Sequence, residues 1–267
     1  VDLMLRGRTA WVLGASSGLG LAVAEALLGE GARVAVSSRA GDRLDAAASH
    51  LAEVAAALGT EALAVSADVR DAGALAAAHD SVASRLGPVQ IGVFNGGGPA
   101  PASVLDLGGD TLDGPYALLL RPAAQFLARV APPMVEAGDG VVAFCTSSGV
   151  RAPIPRLGPS NIMRAGVTAL MKTAATELGP HGVRVLGLAP GRIATDRTAQ
   201  LDAATAARTG LSVDEVAASS RATIPLGRYG EPVDFGRVAA FVCSPAASYL
   251  SGTTITIDGG KLEGLLT

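Results

Sequence analysis

Three features of this 267-residue chain have the residue types and spacing to do chemistry. The first is a glycine series, Gly14-Ala-Ser-Ser-Gly18-Leu-Gly20, which follows a short apolar run and opens a segment of helical period. Its first glycine permits a tight turn and the others let main chain approach a pyrophosphate. The helix N-terminus behind them offers amide donors and the positive end of a dipole. The pattern points to nucleotide binding, with a purely structural turn as the alternative. The second is a shortage of acids: Tyr116, Tyr229 and Tyr249 are the only tyrosines, and Lys172 and Lys261 the only lysines among 21 basic residues. The third is a set of arginines, Arg151, Arg156, Arg192 and Arg197, in two segments that read as loops. They suit an anionic substrate or a carrier-bound acyl group, or are simply solvated. His50, His79 and His181 have no metal-ligand spacing, and Cys145 and Cys243 sit in apolar runs as buried small hydrophobes, so no metal is expected.

Such residues need a scaffold, and the apolar pattern describes one. Runs at 9–13, 33–37, 62–66, 91–94, 141–145, 183–188 and 254–257 lack polar alternation, which suits parallel strands buried on both faces. Between them lie helix-period segments at 19–28, 43–58, 72–86, around 116–135, 161–178 and 232–242. Most end at Gly31, Gly59, Gly87-Pro88 or Gly179-Pro180, as helix stops do. The alternation predicts an α/β fold: one doubly wound parallel sheet of about seven strands, helices on both faces, in a single domain over 1–267. Segments 149–159 and 192–227 break the rhythm. Ligands of an open parallel sheet lie outside the carboxyl ends of its strands, so 192–227 is expected to be a substrate loop or lid.

The composition, 49% hydrophobic and 17% charged with Gly 34 and Pro 15, excludes a disordered or collagen-like chain. A net charge of −3 with scattered basic residues gives no footprint for nucleic acid. No uninterrupted apolar stretch reaches membrane-spanning length and Val1 to Arg8 hold no signal-like run, so the expectation is a cytoplasmic protein with no membrane partner.

Taken in order, the motifs resemble the short-chain dehydrogenase/reductase family over essentially the whole chain, above all classical members such as the 3-oxoacyl-acyl-carrier-protein reductases. Gly14 to Gly20 match the family's glycine loop, with Leu13 where a Thr is usual. Asp68-Val69 match the pair that contacts adenine, and Asn95-Gly96-Gly97-Gly98 is a loosened Asn-Asn-Ala-Gly. Pro190-Gly191, Ile193 and Thr195 resemble the nicotinamide-side segment. Ile224-Pro-Leu-Gly-Arg-Tyr-Gly-Glu-Pro232 and Ser251-Gly252 with Asp258-Gly259-Gly260 match later hallmarks. The resemblance implies a Rossmann-like fold and an NAD(P)(H)-dependent oxidoreductase acting on a carbonyl/alcohol pair, with 3-oxoacyl compounds among its candidate substrates. It also implies a homotetramer or homodimer. Gly14, Ser16, Ser17, Gly18, Leu19, Gly20, Asp68, Val69, Asn95, Gly96, Gly97, Pro190, Gly191, Ile193 and Thr195 would line the cofactor. The second strand ends at Arg39 with no acidic residue to repel a 2′-phosphate, and the arginine fork suits phosphate, so NADP(H) is favoured over NAD(H).

At its catalytic positions the chain departs from that family. The family's proton donor is a Tyr with a Lys four residues on, one helical turn away. Four residues after the three tyrosines here stand Leu120, Val233 and Thr253, so no such pair exists. Alignment puts Ser160 at the Tyr position, Arg164 at the Lys position, Leu119 at that of a catalytic Asn, and Ser147, thirteen residues before Ser160, at that of the catalytic Ser. A phenol titrates near about pH 10, and an aliphatic hydroxyl is a far weaker acid. Arg164 cannot lend a proton, yet its fork can hold the ribose hydroxyls of the nicotinamide and place positive charge near a developing oxyanion. The expectation is that Ser147 polarises the substrate oxygen, Arg164 gives electrostatic support and water supplies the proton. Ser160 is either part of that set or a helix N-cap. The competing reading, of another class, is a nucleotide- or ligand-binding protein with a regulatory or scaffolding role and no hydride chemistry.

Overall fold

A computed structural model of the chain describes residues 2–264. Strands β1 (Thr9–Leu13), β2 (Arg33–Ser38), β3 (Ala62–Ser66), β4 (Ile91–Asn95), β5 (Gly140–Cys145), β6 (Val183–Pro190) and β7 (Thr254–Ile257) form one sheet. The order is β3-β2-β1-β4-β5-β6-β7, with every neighbouring pair parallel. Successive side chains of a strand face opposite ways. In β1, Ala10 and Val12 accordingly enter one core, while Trp11 and Leu13 enter the other.

Helices α1 (Gly18–Gly29), α2 (Asp42–Leu58) and α9 (Pro232–Cys243) cover the first face. Helices α3 (Ala72–Leu86), α5 (Arg121–Ala137) and α6 (Gly158–Leu178) cover the second, where Phe126 of α5 meets Trp11 and Phe94 of the sheet and Phe144 lies beside Phe94. The segment expected around 116–135 is composite: a single turn α4 (Asp113–Pro115), a π-helical turn (Tyr116–Leu120) and then α5. No described helix is long and apolar enough to cross a membrane.

Residues 192–227, expected as a loop, instead hold two helices, α7 (Asp196–Thr209) and α8 (Val213–Ala222). Each has its own start signal. Thr195 Oγ1 accepts from Thr198 N at the start of α7, and Ser212 and Glu215 cap α8 reciprocally. The excursion leaves and rejoins the sheet at one place, because Ala194 N donates to Gly230 O (2.8 Å) and Gly230 N to Arg192 O (2.9 Å).

Helices α1 and α9 pack backbone to backbone. A Cβ on Gly236 would lie 2.3 Å from Ala22 O, so α9 approaches the helix behind the glycine turn more closely than any side chain permits. Gly236→Ala is expected to part these helices and cost about 1–3 kcal/mol, seen as a lower urea midpoint at unchanged slope. Gly114→Ala, at a position where no atom of the described residues would lie within 4 Å of the new Cβ, is the neutral control.

Candidate cofactor and active site

Strand order reverses between β1 and β4, which opens a crevice at their carboxyl ends. Gly14 turns the chain out of β1 at φ 65°. A Cβ on it would stand 2.0 Å from Asn95 O, and one on Gly20 would stand 2.3 Å from Gly14 O, so both positions admit only glycine. Asn95 Nδ2 donates to Gly14 O (2.9 Å), tying the end of β4 to the turn. Ser17 takes the N-cap position of α1 in extended conformation without a side-chain cap, and Ser16 Oγ shares a hydrogen bond with Ser38 Oγ (3.1 Å). Leu19 packs against the first core.

The start of α7 lies over this turn. Thr195 Cγ2 is 3.4 Å from where a Gly18 Cβ would be, and Asp196 pairs with Arg43 near the start of α2 (3.0 Å). Two helix N-termini thus converge on Gly18, a cradle whose amides and dipoles fit a diphosphate. Behind it, Gly191 N donates to Ile257 O (2.9 Å), and a Cβ on Gly191 would meet Asp258 at 2.5 Å. Ile193 is buried beyond Pro190. On the other flank, Arg39 is exposed at the end of β2, and Asp68 and Val69 follow β3 half-buried. The Asp68 carboxyl is held down at about 2, chiefly by its hydrogen bonds from Arg70 and also by the charge of Arg39. The residues present fit a dinucleotide.

The space between the ends of β4 and β5 is occupied by Arg164. Its Nη1 donates to Cys145 O (2.8 Å) and Thr146 O (2.9 Å), and its Nη2 to Gly97 O (3.1 Å) and Gly96 O (3.4 Å). Its Nε donates to Ser160 Oγ (3.3 Å). All five N–H groups therefore meet protein acceptors, and among the described residues no carboxylate pairs with it. Desolvation lowers its pKa to about 10, with Arg197 adding like-charge repulsion, so it stays cationic at neutral pH. Ser160 is buried and is not an N-cap: α6 begins at Gly158 with Leu157 in the capping position, which makes Ser160 the third residue of its first turn. Ser147 Oγ accepts from Gly149 N (3.0 Å) at the start of a short 3-10 turn. Leu119, at the aligned Asn position, is buried in the π-helical turn and packs on Gly96.

The four loop arginines do not act as one group. Arg151 Nη2 donates to Thr254 O (3.3 Å), and Arg156 is exposed at φ 63°. Arg192 pairs with buried Asp202 (2.7 Å), which also accepts from Tyr229 Oη (2.9 Å). Arg197 alone crosses the crevice, its Nη2 donating to Pro99 O (2.8 Å). Neither Arg43–Asp196 nor Asp202 was singled out from the sequence. A signal for Asp202 existed in the line Thr198, Asp202, Ala206, the buried face of α7 at steps of four.

A family model described as enoyl-(acyl carrier protein) reductase matches residues 14–261. The 7alpha-hydroxysteroid dehydrogenase of Escherichia coli (strain K12) is 32% identical over 266 residues, covering 99% of this chain and 98% of that protein. The L-rhamnose 1-dehydrogenase (NAD(P)(+)) of Azotobacter vinelandii is 32% identical over 98% of this chain and 100% of its own. The L-sorbose reductase of Gluconobacter frateurii, solved with NADPH and L-sorbose, superposes with a TM-score of 0.92 at 28% identity, covering 99% of this chain and 100% of that one. The family match begins on the first glycine of the turn and ends beyond the last strand, and with relatives of matching length it leads to one conclusion: the chain belongs to the short-chain dehydrogenase/reductase family.

Proposed function

We propose that the protein is an NADP(H)-dependent oxidoreductase that interconverts a carbonyl compound and its alcohol without a tyrosine proton donor. The carrying observation is the cradle of two helix N-termini at Gly18 beside a desolvated arginine cation at the ends of β4 and β5. The cofactor, when bound, supplies or accepts the hydride. Gly14, Ser16, Ser17, Gly18, Leu19, Gly20 and Thr195 would hold its diphosphate, Asp68 and Val69 its adenine and Arg39 its 2′-phosphate. Asn95, Gly96, Gly97, Pro190, Gly191 and Ile193 would line the nicotinamide side. Small-molecule substrates, 3-oxoacyl compounds among them, assembly as a homodimer or homotetramer, and a cytoplasmic setting go with this reading. Exposed Ile162 on α6 supports the assembly.

Ser147 is the hydroxyl best placed to meet a substrate oxygen. Its Oγ already accepts the Gly149 amide, which leaves its own O–H to donate. Arg164 contributes a field rather than a bond, since its N–H groups are spent on main chain. A cation in a desolvated crevice stabilises a developing alkoxide more than it would in water. To reach a ribose hydroxyl it must release an acceptor, and the longest contact, Gly96 O at 3.4 Å, yields first. Ser160 positions Arg164 through the hydrogen bond it accepts. The proton then comes from water, because neither serine nor arginine can release one at neutral pH.

A second reading, a nucleotide- or ligand-binding protein without turnover, draws on the same spent donors and on Leu119 filling the aligned Asn position. A panel of carbonyl compounds with NADPH separates the two. Turnover above background is expected, with Ser147→Ala lowering kcat/KM by about a hundredfold. Tight NADPH binding without turnover, indifferent to Ser147→Ala, would select the binding protein, and failure to bind either nucleotide would reject both. Arg39→Ala is expected to weaken NADPH about tenfold by equilibrium titration while NADH barely changes. Arg164→Met leaves its carbonyl acceptors unpaired and should cost about 1–3 kcal/mol in urea unfolding, with Arg164→Lys recovering part.

A further inference from the structure

We infer that Arg197 anchors an anionic group on the substrate, so that the carbonyl or alcohol compound taken by this crevice carries an oxyanion, a carboxylate or a phosphate. The inference rests on the function proposed above and adds the class of substrate.

Several arginines around the crevice are paired with a carboxylate. Arg43 is matched by Asp196 (3.0 Å), Arg70 by Asp68, Arg192 by Asp202 (2.7 Å) and Arg228 by Asp234 (2.8 Å). Among the described residues Arg39, Arg151, Arg156, Arg164 and Arg197 have no such carboxylate; the first three are exposed to water, whereas Arg164 and Arg197 are partly buried. The two cations grip one short segment, Arg164 at Gly97 O (3.1 Å) and Arg197 at Pro99 O (2.8 Å), close enough for mutual repulsion to depress Arg164.

The position of Arg197 makes this imbalance harder to dismiss as solvated surface. It stands in the first turn of α7, where the helix dipole disfavours a cation. The acidic neighbour that would compensate, Asp196, is turned away to Arg43. Partial burial of Arg197 lowers its pKa, the signature of a cation losing water without gaining a counterion. Its guanidinium lies against Gly98, where a Cβ would be 2.6 Å from Nε and 2.8 Å from Cζ, so the main chain makes room for it. Among the described residues only Nη2 makes a protein hydrogen bond, to Pro99 O. The remaining N–H groups form a fork that matches a carboxylate or phosphate.

An anion seated there would be held by that fork and by the field of Arg164. It would relieve the repulsion between two uncompensated cations. The cofactor's diphosphate is the rival occupant, but Arg197 reaches the segment after β4, whereas the diphosphate cradle lies at Gly18 and Thr195.

The test is isothermal titration of the full chain saturated with NADP+, which forms dead-end complexes with carbonyl compounds and so needs no turnover. The probes are a series of 2- and 3-oxo acids of increasing chain length, each with its methyl ester, and inorganic phosphate. At least one acid is expected to bind about tenfold more tightly than its ester, or phosphate to bind in a way that depends on Arg197. An acid preference assigns a carboxylate, and binding of phosphate alone assigns a phosphate ester. Arg197→Met should bring the acid-to-ester ratio to about one, Arg197→Lys should keep part of it, and NADP+ affinity should stay within about twofold for both variants. The inference is overturned if no acid is preferred and phosphate does not bind. It is also overturned if Arg197→Met weakens NADP+ as much as the acid, which would give the arginine to the diphosphate. A chain that fails to bind NADP+ would instead remove the proposed function, a result distinct from either.

Discussion

Parallel strands that stop along one line leave main-chain carbonyls facing a single crevice, and those carbonyls must find donors. How this chain provides them shapes everything at that end of the molecule. Asn95 satisfies Gly14 O and so fixes the first turn against the end of β4. Arg164 satisfies the ends of β5 and of the segment after β4 together, reaching four carbonyls from one residue of α6. A lysine in its place has three donors and no planar fork, so it could not span the same acceptors. Fastening the crest with a guanidinium removes the donors that a ribose would otherwise use and leaves behind an unneutralised charge.

That charge sets the character of the crevice. A site with a phenol can move a proton, whereas a site with a permanent cation can only bias where negative charge collects. The proposed function would therefore rely on field strength rather than acid strength at this point, and the hydroxyl it assigns to the substrate, on Ser147, is oriented by a main-chain amide rather than by a neighbouring acid or base. Ser160 and Leu119 fit that proposal. One has become a buried acceptor for the guanidinium, and the other fills its place with hydrocarbon.

Much of the scaffold was legible in the sequence because of where its strands lie. Every residue of β1 and of β5 is buried, so their apolar runs carry no polar interruption, and the expected bounds 9–13 and 141–145 lie within one residue of those observed. Helices α7 and α8 escaped because their buried residues are few and partly polar, Thr198 and Asp202 among them. Only Thr195 and the Ser212–Glu215 box announced them. The positions of Ser147, Ser160 and Arg164 could be counted out along the chain, but their partners could not. The carbonyls that Arg164 grips come from segments far away in sequence, and nothing in the residue types of 96–97 or 145–146 marks their backbone as acceptors.

The excursion that carries α7 and α8 begins and ends on the paired backbone of Arg192, Ala194 and Gly230. With its stems fastened together, the closure entropy of that loop is met at the base, and doubling its length costs only about 0.6 kcal/mol more. The sheet is therefore largely indifferent to what hangs from this point. Length added beyond the stems would thus be cheap in entropy, and what holds α7 in place is its contacts at Arg43 and Pro99 rather than its tether.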